Sequence, residues 1–368
     1  MKEITERVKG NDGRMDLPTL TISAGQGWLN QKDRFSGNIA GKEQKNYTLL
    51  LKNELSYNHG NSKLAKYGAV FSLKTYEEAL VPRVYHSFKS TKNSDPDFLE
   101  YIFATKKPDK ELGKLVSSGA RMDGLLNINY DDFSNIKINI PHIHEQKKIS
   151  NLLRKIDNTI TLHQRKLDQL KELKKAYLQV MFPGKDERVP KLRFAAFEEG
   201  WELRKLGDIT KISTGKLDAN AMVENGKYDF YTSGIKKYRI DVPAFEGPAI
   251  TIAGNGATVG YMHLADNKFN AYQRTYVLQE FVVDRSFLFS EVGNKLPKKI
   301  NQEARTGNIP YIVMDMLTEL KLSIPQDEAE QSKIGSFFKQ IDKTIALHQN
   351  KLEQLKDLKT SYLQNMFI

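Results

Sequence analysis

Amides, guanidinium groups and aromatic rings, set close together, are the side chains of this chain best suited to recognition chemistry. The stretch Asn270-Ala271-Tyr272-Gln273-Arg274 holds all three. In the major groove of a DNA duplex a carboxamide pairs with adenine and a guanidinium with guanine, so this cluster suits the reading of base edges. Thr232 and Ser233, with Lys216, Lys295, Lys298 and Lys299, are of the types that hold phosphate oxygens. In the first half Lys74, Arg83, Tyr85, Lys89 and Arg121 are the comparable candidates, and Arg305 is the second-half counterpart of Arg121. Each residue alone fits an ordinary surface role, so the inference rests on the set.

Constellations that make or break bonds are missing from the same segments. Gly254-Asn255-Gly256-Ala257-Thr258-Val259-Gly260 lacks both the Lys-Ser/Thr of a phosphate loop and the glycine spacing of a dinucleotide fold. It reads instead as a turn between strands at Ala249–Ile252 and Val259–Met262. Pro96-Asp97 and Pro108-Asp109 suggest a nuclease motif, but the next Glu-x-Lys, Glu145-Gln146-Lys147, already lies in a helix. No Asp-Pro-Pro-Tyr tetrad for base methylation occurs. The 7 histidines form no H-E-x-x-H or H-x-E arrangement, which leaves a hydrolytic metal site without support. The absence of cysteine removes thiolate nucleophiles and disulfide frameworks. The reading is a chain with no active site, cofactor or metal of its own.

The 56 Lys and Arg against 45 Asp and Glu leave a net +11, which fits an anionic partner and equally fits Lys-rich helices that are simply solvated. The excess is unevenly placed. Residues 145–182 carry 9 basic against 4 acidic side chains and residues 330–368 carry 6 against 4, whereas residues 183–329 carry 20 of each. A uniformly basic coat is excluded, and binding by the neutral segment requires a locally sorted surface. The start, Met1-Lys2-Glu3-Ile4-Thr5-Glu6-Arg7, has no apolar signal core, and no run approaches the roughly 18 apolar residues of a membrane span. A soluble, cytoplasmic protein with no membrane contact is expected.

An internal repeat determines how these side chains are positioned. Gln146 through Phe182 aligns with Gln331 through Phe367 at a shift of 185, with 22 of 37 positions identical. A weaker match upstream, at a shift of 184, relates Ala120-Arg121, Asp131 and Ile140-Pro141 to Ala304-Arg305, Asp315 and Ile324-Pro325. Within each strong copy the apolar positions follow a four-three spacing. The first runs Ile149, Leu153, Ile156, Ile160, His163, Leu167, Leu170, Lys174, Tyr177, Met181. The second runs Ile334, Phe338, Ile341, Ile345, His348, Leu352, Leu355, Lys359, Tyr362, Met366. This is a coiled-coil seam of nearly five heptads, about 50 Å long at 1.5 Å per residue. His163 and His348 have no histidine or carboxylate at i+4, so a register-setting role outweighs a metal or proton site. Lys174 and Lys359 can bury their stems while the charge reaches water. Antiparallel pairing would bring the two histidines together.

The expected fold is α+β: two globular α/β domains, residues 1–141 and 184–325, separated by two long antiparallel coiled-coil helices, residues 142–183 and 326–368, with pseudo-two-fold symmetry. Strands at Ile136–Ile140 and Leu320–Ile324 lead into the helices. The Ile-Pro dipeptides mark the joints, because proline disfavours helix in the residue before it.

With these motifs in place, nearly the whole chain resembles a specificity subunit of a type I restriction-modification system. The likeness is carried by Ile156-Asp157 and Ile341-Asp342, by Leu167 to Leu173 and Leu352 to Leu358, and by Pro190-Lys191-Leu192-Arg193-Phe194. Trp201 through Asp208 and Ala253 through Ala257, with Phe269 through Arg274, complete it. The resemblance implies two target-recognition domains, each reading one half of a split target in double-stranded DNA, and spacer helices that fix the gap. It also implies two modification subunits and two restriction subunits as partners, which would hold S-adenosylmethionine, ATP and magnesium. The chain itself would be non-catalytic. On the residues alone, the rival is a coiled-coil adaptor whose globular ends bind proteins. There is one departure: the second half opens through Trp201 and Leu206-Gly207-Asp208-Ile209-Thr210, while the first begins at the equivalent of the last dipeptide, Ile4-Thr5. The matching entry segment is missing from the first half, so the sequence gives no expectation for how the amino-terminal edge of the first domain packs.

Overall fold

The computed structural model describes residues 1–35, 41–116, 125–303 and 310–367. The chain divides into two compact units that cut across its linear order. One joins Met1–His163 to Lys351–Ile368, and the other is Gln164–Asn350. The division passes through two long helices, Ile143–Val180 and Glu328–Asn365. Each unit thus holds a globular domain, the beginning of the long helix that follows that domain, and the end of the other long helix.

The helices form because a 38-residue run free of proline keeps an apolar residue every third or fourth position. Ile149, Leu153, Ile156, Leu167, Ile334, Phe338, Ile341, Leu352 and Leu355 are buried. His163, Leu170, Lys174, Tyr177, His348, Lys359 and Tyr362 are half-buried, and most of the polar residues between them are exposed. In the first unit Lys359 Nζ lies 2.6 Å from Asp157 Oδ1, the Tyr101 hydroxyl donates to Asp157 Oδ2 at 2.7 Å, and Phe367 stacks on Phe98 at 5.0 Å. In the second unit Lys174 Nζ lies 2.5 Å from Asp342 Oδ1, and Phe182 packs 5.7 Å from both Phe287 and Phe338. In each unit, therefore, the start of one helix runs antiparallel to the end of the other.

A buried glutamine ties each long helix to its own domain. Gln146 Oε1 accepts the Asp95 N–H at 3.0 Å, and its Nε2 donates to the Pro141 carbonyl at 2.8 Å. Gln331 repeats both bonds, from the Asp284 N–H at 2.8 Å and to the Pro325 carbonyl at 2.9 Å. Asp95 and Asp284 in turn accept the backbone N–H groups of Phe98 and Phe287 and so cap the domain helices Pro96–Ala104 and Arg285–Glu303. Gly335 is needed here, since a Cβ would sit 2.6 Å from the Phe287 nitrogen.

The central sheets of the two domains have the same strand order although their sequences differ. In the first the order is Thr5–Val8, His86–Ser90, Leu55–Asn58, Ala69–Ser72. In the second it is Lys211–Thr214, Thr275–Gln279, Ala249–Ala253, Met262–Ala265. All neighbours are antiparallel, with Leu55 opposite Phe88 as Ile250 is opposite Leu278. Among the described residues no helix is long and apolar enough to cross a membrane, and no group of three or more metal-ligating side chains occurs.

Two strand expectations need correction. Lys321–Ile324 is a strand because Glu202–Lys205 pairs with it, but Ile136–Ile140 is not. In the first unit that ladder partner is replaced by two bonds, from the Met1 nitrogen to the Ile136 carbonyl and from the Lys2 N–H to the Ser134 carbonyl. The strand placed at Val259–Met262 begins at Met262, opposite Ile252. Gly256 and Gly260, at φ of 85° and 82°, extend the preceding turn through Tyr261.

Aligned from their caps, the two domain helices put Glu291 where the first has Ile102. Glu291 is fully buried, its Oε1 accepts the Ser323 N–H at 3.0 Å, and Lys295 Nζ is 3.9 Å away. Burial pushes its carboxyl from the ordinary 4.5 up to about 7. Between these two values the folded chain keeps a proton that the unfolded chain releases, so stability is fully present below 4.5 and is lost as pH rises through 7. Glu291→Gln should flatten this slope, worth roughly 3 kcal/mol, in urea titrations run from pH 4.5 to 8. Gln331→Ala should cost about 1 to 3 kcal/mol in the same titrations, because the Asp284 N–H and the Pro325 carbonyl lose their buried partner.

Candidate nucleic-acid interface

One end of the second unit's central sheet gathers several loops by backbone bonds. The Tyr272 N–H donates to the Tyr231 carbonyl at 2.9 Å, Gln273 to Leu217 at 2.8 Å, Gly254 to Arg274 at 2.8 Å and Ile312 to Gly254 at 2.8 Å. Lys216, Thr232, Ser233, Tyr272, Gln273 and Arg274 are thereby brought to one place. Lys216, Gln273 and Arg274 are exposed and Tyr272 half-buried. Two glycines allow the convergence. A Cβ at Gly215 would lie 1.9 Å from the Ala271 carbonyl oxygen, and one at Gly254 would lie 2.3 Å from that of Arg274.

A polar and aromatic floor supports these residues, and most of it went unnoticed in the sequence. The Ser233 hydroxyl donates to Asn255 Oδ1 and the Thr258 hydroxyl to the Ser233 carbonyl, both at 2.5 Å. The His263 ring sits between Tyr231 and Tyr261, at 5.1 and 4.9 Å, with Lys237 over Tyr231. Burial lowers the His263 imidazole below its ordinary value. Asn270 lies beneath the surface: its Nδ2 donates to the Val242 carbonyl at 2.8 Å and its Oδ1 accepts the Ala271 N–H. Its amide is spent inside the domain.

The first unit shares the strand register and one of these bonds, and carries different side chains there. The His59 carbonyl accepts the Leu126 N–H at 2.9 Å as the Gly254 carbonyl accepts that of Ile312. Since Tyr57 opposes His86 as Ile252 opposes Tyr276, Arg83 stands where the second unit has Gln273. Arg83 is exposed. Tyr85 is not: its hydroxyl is 3.0 Å from Thr21 Oγ1 and accepts the Ile22 N–H at 3.2 Å. Beneath lie His59 and His86, stacked at 4.9 Å. His59 places its ring nitrogens close to two carbonyls, Nδ1 2.6 Å from that of Leu126 and Nε2 2.9 Å from that of Val84. Burial pushes His86 down to about 4, leaving it neutral. Nothing local in the sequence identified these positions as a polar cluster.

The remaining candidates lie elsewhere. Lys74 pairs with Asp97 at 2.5 Å, and Lys89 with Glu6 at 3.0 Å. Lys295, Lys298 and Lys299 stand on Arg285–Glu303 and line a separate cleft. Arg121 and Arg305 lie outside the described residues.

Comparison with known proteins places this geometry. The family described as type I restriction modification DNA specificity domain matches residues 12–172 and again residues 198–357. Over 167 residues the chain is 33% identical to the type I restriction enzyme EcoDI specificity subunit of Escherichia coli, covering 45% of this chain and 36%, about a third, of that protein's length. The MjaVIII specificity subunit of Methanocaldococcus jannaschii is 25% identical over 296 residues, 70% of this chain and 67% of that one. The crystal structure of a type I system S subunit from M. genitalium has the same fold, with a TM-score of 0.70 over 100% of this chain and 94% of that one, at 17% identity. With both globular segments matched to that domain, the chain belongs to the type I restriction-modification DNA specificity family.

Proposed function

We propose that this chain reads a two-part DNA target, one half with the loops around Tyr272–Arg274 and the other with those around Arg83. The observation that carries the reading is a shared backbone platform bearing unlike side chains. A common frame sets where bases can be met, and the differing groups, Gln273 and Arg274 against Arg83, set which bases they are. Of the sequence-derived set, Lys216, Arg83, Gln273 and Arg274 are exposed at the two platforms, in reach of base edges. Tyr85 and Asn270 shape the platform from within. The residues 1–141 and 184–325 serve as readers, and residues 142–183 and 326–368 as the spacer between them.

The chain supplies specificity and no chemistry. Modification and restriction subunits do the chemistry, two of each in the full assembly, with S-adenosylmethionine, ATP and magnesium held by them in the cytoplasm. The long helices give those subunits a repeated surface. Leu162 and Leu347 are 64% and 67% exposed, and Leu173 and Leu358 also face water, at positions related by the same shift of 185. Such matched apolar residues suit two copies of one partner.

Two variants test the reading on the chain assembled with its modification subunit. Gln273→Ala with Arg274→Ala should relax one half-site by about 1 to 3 kcal/mol per bidentate pair removed, measured by competition between duplexes changed in one half at a time, and should leave the other half untouched. Equal weakening on every sequence would instead assign both residues to phosphates. Gly254→Ala should displace the Tyr272–Arg274 turn and abolish discrimination at that half-site, while discrimination at the other half persists.

A further inference from the structure

Residues 183–329 have no net charge, so their grip on an anion depends on how the charges are sorted, and in the second unit they are sorted around one groove. An open cleft lies between the end of the first long helix, the strap Pro183–Arg188, the helix Arg285–Glu303 and the strand Lys321–Ile324. It continues along the long helix past Lys171 and Lys175, and both parts are bordered by Leu178, Gln179, Asn294 and Lys298. Nine basic side chains line the two parts against five acidic ones.

The pairing within the groove sharpens that imbalance. Lys174, Lys295 and Lys299 face Asp342, Glu291 and Glu303. The other six, Lys171, Lys175, Lys185, Arg188, Lys298 and Lys321, are exposed, and among the described residues none has a carboxylate at salt-bridge distance. The acids are mostly engaged already. Asp342 and Glu319 are held by Lys174 and Lys205, Glu202 bonds Gln326, and Glu187 accepts the Gly184 N–H. Small-molecule sites are largely enclosed and apolar. This groove is open and walled by unpaired cations, which fits an extended polyanion.

We propose that the groove is a phosphate track, holding the sugar-phosphate backbone of duplex DNA without reading its sequence. The proposal rests on the DNA-reading function above and adds a second contact surface to it. Lys299 borders the track with its charge already matched by Glu303, while Lys298 bonds only the neutral amide of Asn294. Neutralised phosphates release condensed counterions, so each phosphate held here steepens the dependence of binding on salt.

The test uses the chain assembled with its modification subunit and the triple variant Arg188→Ala, Lys298→Ala, Lys321→Ala. Binding to a target duplex and to a random duplex is measured across a salt series. The expected result is equal weakening on both duplexes, with the slope of log K against log salt reduced by about 0.9 for every phosphate no longer neutralised. The methylated sequence stays the same, and lysine-to-arginine changes at Lys298 and Lys321 keep the slope. Unchanged affinity and slope, with the fold intact by circular dichroism, would overturn the proposal. So would loss of assembly at an unchanged slope, which would give the groove to an acidic protein surface. A wild-type complex that never separates target from random duplex would sink the sequence-reading function, and the slope comparison would still decide the groove.

Discussion

Everything in this chain depends on burying the apolar ends of two long helices. A seam with two apolar positions in seven cannot hold 38 residues in a helix unaided, because most helical stability in water comes from packing one face. Each helix solves this by starting in one unit and finishing in the other. Phe182 completes the aromatic cluster of the second unit beside Phe287 and Phe338, and Phe367 fills the equivalent place in the first beside Phe98. Neither unit is complete until the far end of the other helix arrives. The pairs Asp157 with Lys359 and Asp342 with Lys174 repeat this exchange in charge, and a polar pair on a seam specifies register more than it adds stability.

That arrangement explains where sequence is constrained and where it is free. The glutamines at 146 and 331 sit in the repeat because each must reach a capping aspartate's backbone and a prolyl carbonyl at once. The sheets keep strand order and register but not side chains, since an antiparallel ladder is made by the backbone. What projects from the ladder's end is then free to differ. Arg83 in one unit and Gln273 in the other follow from the same strand register, so one fold presents unlike side chains at the same place.

The sequence disclosed the helices, their antiparallel partnership and the two-domain plan, because a seam of two apolar positions per heptad and a repeat at a shift of 185 survive without any structural knowledge. It did not disclose that the two sheets match, since Tyr57 and Ile252 occupy the same ladder position with nothing in common. Asn270 and Tyr85 were legible as polar or aromatic and therefore as readers. Residue type alone does not say which way a side chain faces, and their polar atoms are used by Val242, Thr21 and Ile22. Ile136–Ile140 had the alternation of a strand but no partner strand to join. Glu291 lies in an amphipathic run where Ile102 has its counterpart, and nothing in its neighbours announced a buried carboxylate.

The most direct measurement is single-molecule methylome sequencing of cells that carry this chain with its modification subunit. Two readers held by one pair of helices predict a single methylated motif made of two unlike specified parts separated by a gap of constant length. A continuous motif, or a gap whose length varies from site to site, would contradict the account at its root.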